Sequence, residues 1–255
     1  MILTIDVGNS NIVISSVDGE KIVFEGRIRT DATKTSDEYS MDIKALLDIN
    51  GIDYKGIEGC IIASVVPQVL NSIQTAVKKL TGKQSLVVGP GLKTGLNIKI
   101  ENPAQTGADL VVGCVAALRE HKPPMIVVDM GTATTMVVLD ETGALIGGCI
   151  CPGVKISMEA LTGKTALLPG LQLDQPKRAI GRNTIDCMRS GIMMGNACML
   201  DGMVERMEAE LGQKTTVIAT GGIAKFITPL CKTPMIYDKD LIIKGLAALY
   251  HDNKR

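Results

Sequence analysis

Two stretches roughly half a chain apart repeat one plan, and that duplication constrains the fold more than any other feature. In the first, the apolar run Ile2 to Ile5 ends in Asp6. Gly8, Asn9, Ser10 and Asn11 follow, then Ile12 to Ile14 and a turn at Asp18 and Gly19. In the second, Met125 to Val128 ends in Asp129. Gly131 is followed by Thr132, Thr134 and Thr135, then Met136 to Leu139 and a turn at Glu141, Thr142 and Gly143. Each copy reads as a β-hairpin with an acid at one strand's mouth. Laying Asp6 on Asp129 and Gly8 on Gly131 keeps the two in register until the turn, where the second has one extra residue. A strand-acid-glycine hairpin can arise by chance, but two in register point to a duplicated unit. Chemically, glycine beside the turn lets backbone approach a ligand, small hydroxyls add donors, and a carboxylate can order a cation that accompanies phosphate. The pattern predicts a pair of phosphate clamps.

The rest of the chain alternates strands with helices. After a strand around Ile22 to Ile28 and a polar loop, Thr35 and Glu38 have capping-box spacing, and Tyr39, Ile43, Leu46 and Leu47 mark one helical face before Gly51. Ile57 to Val66 reads as a buried strand closed by Pro67. Val69, Leu70, Ile73, Val77 and Leu80 form a stripe ended by Gly82, and Ser85 to Val88 is again extended. The second half repeats the plan: the hairpin, a strand through Ile150, a helix from about Lys155 to Leu161, a loop from Pro169 to Arg182, and a long helix from Thr184 to Leu211. Thr215 to Ala219 reads as the last core strand, Thr220-Gly221-Gly222 as a turn, and Asp240 to Tyr250 as the last helix. Alternation of this kind argues for α/β. At 255 residues the chain can bury two cores. The duplication predicts domains at 1–121 and 122–255, with Pro123-Pro124 near the join.

Composition narrows the function classes. Basic and acidic residues number 27 each, so no excess charge points to nucleic acid or to an anionic membrane. No apolar run approaches the roughly 20 residues that span a bilayer, and the expectation is a cytoplasmic small-molecule protein. Seven cysteines without CxxC spacing and two histidines argue against zinc and for buried, reduced thiols. The long helix carries Gly191, Gly195 and Gly202 among Met193, Met194, Met199 and Met203, a mixture that suits close packing, such as against a twin helix.

Two segments imitate nucleotide motifs and are set aside. Gly89-Pro90-Gly91 has the wrong glycine spacing for a dinucleotide loop and leads into the extended Asn97 to Ile100. Gly163-Lys164-Thr165 copies the end of a P-loop, but Met158 stands where the first glycine belongs and no strand precedes it. Asp109, after Gly107 and Ala108, falls in the first turn of an apolar helix that runs to Arg119. It can complement the helix dipole there, or be a carboxylate that accepts a proton from a hydroxyl.

The order of these motifs resembles the type III pantothenate kinases of the acetate and sugar kinase, Hsp70 and actin superfamily, nearly end to end. The matching wording is DVGNSN at Asp6 to Asn11, SDEYSM at Ser36 to Met41, ASVVP at Ala63 to Pro67 and GPGLKTGLNIK at Gly89 to Lys99. It continues with ENP at Glu101 to Pro103, GAD at Gly107 to Asp109, DMGTATT from Asp129, IGRNT at Ile180 to Thr184 and TGGIA at Thr220 to Ala224. The resemblance implies two related ribonuclease H-like halves, an actin-like duplicated fold around a nucleotide cleft. By it, Asp6, Val7, Gly8, Asn9, Ser10, Asn11, Ile12, Val13 and Thr132 bind ATP, with Mg2+ reached by Asp6 through water. Asp129 binds a monovalent cation, K+ or NH4+. Asp109 is the general base, and Gly107, Ala108, Asp109 and Thr184 contact pantothenate. Thr184 acts from the neighbouring subunit of a homodimer whose site lies at the subunit interface. The implied reaction moves the γ-phosphoryl of ATP to the primary hydroxyl of pantothenate, the first step towards coenzyme A.

The sequence departs from the family's pattern on the acceptor side. The family usually reads Gly-x-Asp-Arg where Leu110 stands here, and has tyrosine before Glu-Asn-Pro where Ile100 stands. Those replacements leave open a kinase for a more apolar acceptor, or a non-catalytic nucleotide-binding regulator.

Overall fold

The computed structural model describes residues 1–165 and 167–254. Its strands and helices, in chain order, begin with β1 (Ile2–Val7), β2 (Asn11–Asp18), β3 (Lys21–Arg29), α1 (Ser36–Ile49), β4 (Gly59–Ser64), α2 (Pro67–Thr81), β5 (Ser85–Val87) and α3 (Ala108–Glu120). They continue with β6 (Met125–Met130), β7 (Ala133–Leu139), β8 (Leu145–Pro152), α4 (Val154–Gly163), α5 (Thr184–Leu211), β9 (Thr216–Thr220), α6 (Ala224–Ile227), β10 (Ile236–Tyr237) and α7 (Leu241–Asn253).

The duplication is explicit in the sheets. One sheet has the order β3-β2-β1-β4-β5 and the other β8-β7-β6-β9-β10. In both, the first strand is antiparallel to the second and parallel to the fourth. This is the α/β plan that the two hairpins predict.

Compactness divides the chain into Met1–Leu96, Glu101–Arg119 and Asp240–Arg255 as one unit, and Asn97–Ile100 with Glu120–Lys239 as the other. The compact units and a cut at 121/122 therefore differ in three places: residues 97–100, 120–121 and 240–255. Helix α7 packs on β1 and β4 of the first unit. There the Gly59 α-carbon faces Tyr250 so closely that a β-carbon on Gly59 would lie 1.9 Å from the phenol oxygen. Segment Asn97–Ile100 joins the second unit because Leu145 N donates to Asn97 O at 2.8 Å and Lys99 N to Leu145 O at 2.7 Å.

Local chemistry sets the element ends. Glu38 N donates to Thr35 Oγ1 and Thr35 N to Glu38 Oε2 at 2.8 Å, the reciprocal cap that the spacing predicts. Asn183 Oδ1 accepts from Asp186 N at 2.9 Å and starts α5. In the first unit Leu3, Ile5, Val7, Ile12 and Ile14 alternate onto one sheet face and are buried with Tyr39, Ile43 and Ile73 of α1 and α2. In the second, Ile126, Val128, Met136 and Ala219 are buried with Met193, Ala197 and Leu200 of α5.

Several expectations need adjusting. The strand expected at Ile57 to Val66 is shorter, Gly59–Ser64, because a 3-10 turn at Tyr54–Gly56 precedes it and α2 begins at Pro67. Of the seven free cysteines only Cys60 and Cys114 are buried, and burial pushes both thiols up to about 12. Cys187 and Cys198 are exposed on α5. The glycines of α5 do not pack closely within the chain, since a β-carbon on Gly191, Gly195 or Gly202 would meet nothing within 4 Å.

Candidate active site

The first hairpin joins β1 to β2 through Gly8–Asn11, with Val7 opposite Ile12 and Gly8 N donating to Asn11 O at 3.0 Å. Val7 and Ile12 are fully buried and anchor the loop, whereas Asn9, Ser10 and Asn11 are exposed. Strand alternation then turns Asp6 to the other sheet face, beside its cross-strand partners Val13 and Ala63. Of the segment Asp6 to Val13, the polar tip is thus available to a ligand while the apolar members hold it in place.

The second hairpin is tighter. Met130 lies opposite Thr134, the turn is Gly131–Ala133, and Gly131 N donates to Ala133 O at 3.0 Å. The register that aligns Asp6 with Asp129 therefore breaks at this loop rather than at the later turn. Asp6 faces Val13, but Asp129 faces Thr135. A one-residue change flips every following side chain to the other face, so Thr135 joins Asp129 on one face where its aligned residue Ile12 is core.

Asp129 also lies beside Thr220 of β9. The next residue, Gly221, has φ +96°, and a β-carbon there would come within 2.7 Å of Asp129 Oδ1 and 2.6 Å of Met130 O. The Gly-Gly turn thus allows the chain to cross the acid at contact distance. Thr135 Oγ1 is buried and, among the described residues, has no hydrogen-bond partner. An aspartate with neighbouring threonine hydroxyls is an all-oxygen donor set, which suits a hard cation and not zinc. Exposed Thr132 is braced from below, since a β-carbon on Gly153, the residue after β8, would lie 2.1 Å from Thr132 O.

Asp109 sits in the first turn of α3 and accepts from Leu110 N at 2.8 Å. Its carboxylate folds back over Gly107, whose β-carbon would stand 2.5 Å from Oδ1. Burial pushes the Asp109 carboxyl above its ordinary 3.8, against the lowering effect of the backbone N–H groups of Leu110 and Asp109. A carboxylate held ionised against a desolvation penalty is a better proton acceptor than a solvated one. Leu110 and Ile100 are both partly buried.

The remaining positions are more scattered. Asp6, Gly107, Ala108 and Asp109 belong to the first compact unit, and Asp129, Thr132 and Thr184 to the second. Thr184 opens α5 and is exposed. Along α5, Thr184, Cys187, Gly191, Gly195 and Cys198 are exposed at three- and four-residue spacing, which is one helical stripe. The sequence reading missed Gly153 as the brace of the second loop, because a lone Pro-Gly after a strand looks like any turn.

The rejected motifs stay rejected. Gly89 to Leu92 closes as a turn, with Leu92 N donating to Gly89 O at 3.1 Å. Gly163 is the last residue of α4, so Lys164 and Thr165 sit at a helix C-terminus, the wrong end for phosphate.

Two sheets of one strand order, each led by an acid-glycine hairpin, define an actin-like duplicated α/β protein. In overall fold the chain is similar to the activator of 2-hydroxyisocaproyl-CoA dehydratase from Clostridium difficile, solved with bound ADPNP. The TM-score is 0.59 at 14% identity, over 98% of this chain and 93% of that one. It is also similar to component A of (R)-2-hydroxyglutaryl-CoA dehydratase from Acidaminococcus fermentans, with TM-score 0.58, 15% identity, and 98% and 96% coverage.

Within that class the chain belongs to the type III pantothenate kinase family, whose sequence profile matches residues 2–206. It is 44% identical over 255 residues to the type III pantothenate kinase of an Exiguobacterium species, covering 100% of both chains. It is also 44% identical over 253 residues to that of Halalkalibacterium halodurans, covering 99% of this chain and 100% of the relative.

Proposed function

We propose that this protein is a pantothenate kinase. It transfers the γ-phosphoryl group of ATP to the primary hydroxyl of pantothenate, giving 4'-phosphopantothenate and ADP at the entry to coenzyme A biosynthesis. The observation that carries this reading is full-length similarity to type III pantothenate kinases at 44% identity, joined to the acid-glycine hairpins at Asp6 and Asp129. Full-length similarity of this kind does not favour the more apolar acceptor or the non-catalytic regulator that Leu110 and Ile100 left open.

Phosphoryl transfer needs positioning and charge neutralisation more than covalent chemistry by the protein. We assign ATP to Asp6, Val7, Gly8, Asn9, Ser10, Asn11, Ile12, Val13 and Thr132. Asp109 takes the proton of the pantothenate hydroxyl as that oxygen attacks the γ-phosphorus and the bond to ADP breaks. Gly107, Ala108 and Thr184 contact pantothenate. Mg2+ would be held by the nucleotide phosphates and, through water, by Asp6, and would neutralise charge on the phosphates. A monovalent cation, K+ or NH4+, would be held by Asp129, with the buried Thr135 hydroxyl close at hand.

We further assign the duplication to ribonuclease H-like domains at 1–121 and 122–255. We propose a homodimer with the site at the subunit interface. The exposed α5 stripe of Thr184, Cys187, Gly191, Gly195 and Cys198, with open space over its glycines, supports this assembly. Among the described residues no helix is long and apolar enough to cross a membrane. A cytoplasmic setting, which supplies ATP and K+ and keeps thiols reduced, suits the free cysteines.

The test is ADP release with pantothenate, Mg2+ and K+, repeated with Asp109→Asn. Turnover in the wild type and its collapse in the variant are expected. ATP binding with no turnover of pantothenate would overturn the assignment.

A further inference from the structure

Thr30, the residue after β3, makes two bonds to the first phosphate hairpin. Its Oγ1 donates to Gly8 O at 2.6 Å and its N donates to Ser10 O at 3.2 Å. In a trans peptide the carbonyl and the following N–H point in opposite directions. Turning the Gly8 and Ser10 carbonyls towards Thr30 therefore turns the Asn9 and Asn11 N–H groups away from it. Outward amides on a glycine-led loop are the donors that hold phosphate in anion-binding nests.

Thr30 is itself held. Asp31 N donates to Tyr39 Oη at 2.9 Å, and Tyr39 Oη donates to Asp31 O at 2.7 Å. Tyr39 is fully buried in the first core, and α1 is fastened by the Thr35–Glu38 cap. A rigid path thus runs from the core through Tyr39 and Asp31 to Thr30, and from Thr30 to two carbonyls of the loop. It also gives the Ser36 to Met41 motif a task, because Tyr39 lies within it.

We infer that Thr30 is a positioning residue for nucleotide binding, which fixes the peptide orientations of the Gly8–Asn11 loop and is locked by Tyr39. The inference rests on the reading of Asp6 to Val13 as ATP-binding. Thr30 acts through the loop and does not itself touch the reacting atoms.

The experiment is steady-state kinetics of the full-length enzyme with MgATP and pantothenate varied separately. Thr30→Val keeps the shape and removes the hydroxyl, and it raises the KM for ATP about 3- to 10-fold, the worth of one hydrogen bond. The KM for pantothenate stays within about 2-fold, and Thr30→Ser restores the wild-type ATP value. Tyr39→Phe shifts the ATP KM in the same direction, and its effect is not additive with Thr30→Val because the two share one path. An unchanged ATP KM in folded Thr30→Val, or equal rises in both KM values that Ser does not rescue, overturns the inference. Where Thr30→Val fails to fold, Tyr39→Phe decides by the same split: an ATP-selective rise supports the inference and no rise overturns it. Asp6→Asn separates the two readings. If it weakens ATP binding while Thr30→Val does not, only the positioning role falls; if neither does, the ATP assignment of the segment falls as well.

Discussion

Gly221 and Asp129 are in contact: a β-carbon on Gly221 would lie 2.7 Å from the Asp129 carboxylate. Gly221→Ala must therefore push the acid aside, and it also strains a residue with φ +96°. On the proposal that Asp129 holds the monovalent cation, the variant should need more K+ for half-maximal rate, as should Asp129→Asn. Titration of the rate with KCl at constant ionic strength checks this. The strain adds a loss of about 1 kcal/mol or more in denaturant unfolding.

Asp109 gives a pH signature. Burial raises its folded carboxyl above the ordinary 3.8, so the folded state binds a proton more tightly than the unfolded state. The stability from this group is fully present below the unfolded pKa and is lost as pH rises through the folded pKa. Asp109→Asn should thus be as stable as wild type at low pH or less so, and gain on it in Tm towards neutrality, while losing turnover. With Asp109 as the proposed base, the midpoint of the acid limb of kcat/KM should also be displaced upward from the ordinary value of 3.8.

Asp140 shows the opposite sign. The Thr142 hydroxyl, helped by the Ala144 amide and Lys99, holds its carboxyl at about 2. Its contribution is present above about pH 4 and lost as pH falls towards 2. Asp140→Asn should lower Tm at pH 7, and the gap to wild type should close on acidification, measured by thermal melts from pH 7 to 2.

Gly59 and Tyr250 test the seat of α7. Gly59→Ala overpacks that contact and should cost about 1 to 3 kcal/mol in denaturant unfolding. Pairing it with Tyr250→Leu should recover part of the loss, because the ring that meets the new methyl is gone.

Leu110 and Ile100 test the acceptor side. An arginine at 110 would supply a charge-assisted hydrogen bond worth about 1.5 to 3 kcal/mol, roughly 10- to 150-fold in affinity. Leu110→Arg with Ile100→Tyr should lower the KM for pantothenate and leave that for ATP in place.

Much of this was legible in the sequence because it follows from local pattern. The hairpins, the Thr35–Glu38 cap and helices α1 and α2 come from periodicity and capping chemistry that neighbours in the chain determine. The register slip at Thr135 was not legible, since a three-residue and a four-residue turn share the same acid and glycine and differ only in which residue faces which. Thr30, Gly153 and the Gly221–Asp129 contact were hidden for another reason. Each acts on a segment that is distant in sequence, and a threonine, a glycine or a Gly-Gly turn after a strand carries no mark of what it will touch. The proposed role of Asp109 draws on both levels: its place in a helix start equally suits a dipole-pairing acid, the family resemblance implies a base, and its burial supports a proton acceptor.

Helix α7 has a consequence for synthesis. The first compact unit to leave the ribosome is the last to be completed, because the part of β1 and β4 that α7 packs on stays without it until residues 241–253 emerge. By strand alternation Ile61 shares the face of Gly59, which meets Tyr250, so throughout translation of the second unit this apolar side chain lacks α7 and is open to premature association. A nascent chain stalled before residue 240 should be protease-sensitive in its amino-terminal half even though every residue of that half's five strands has been made.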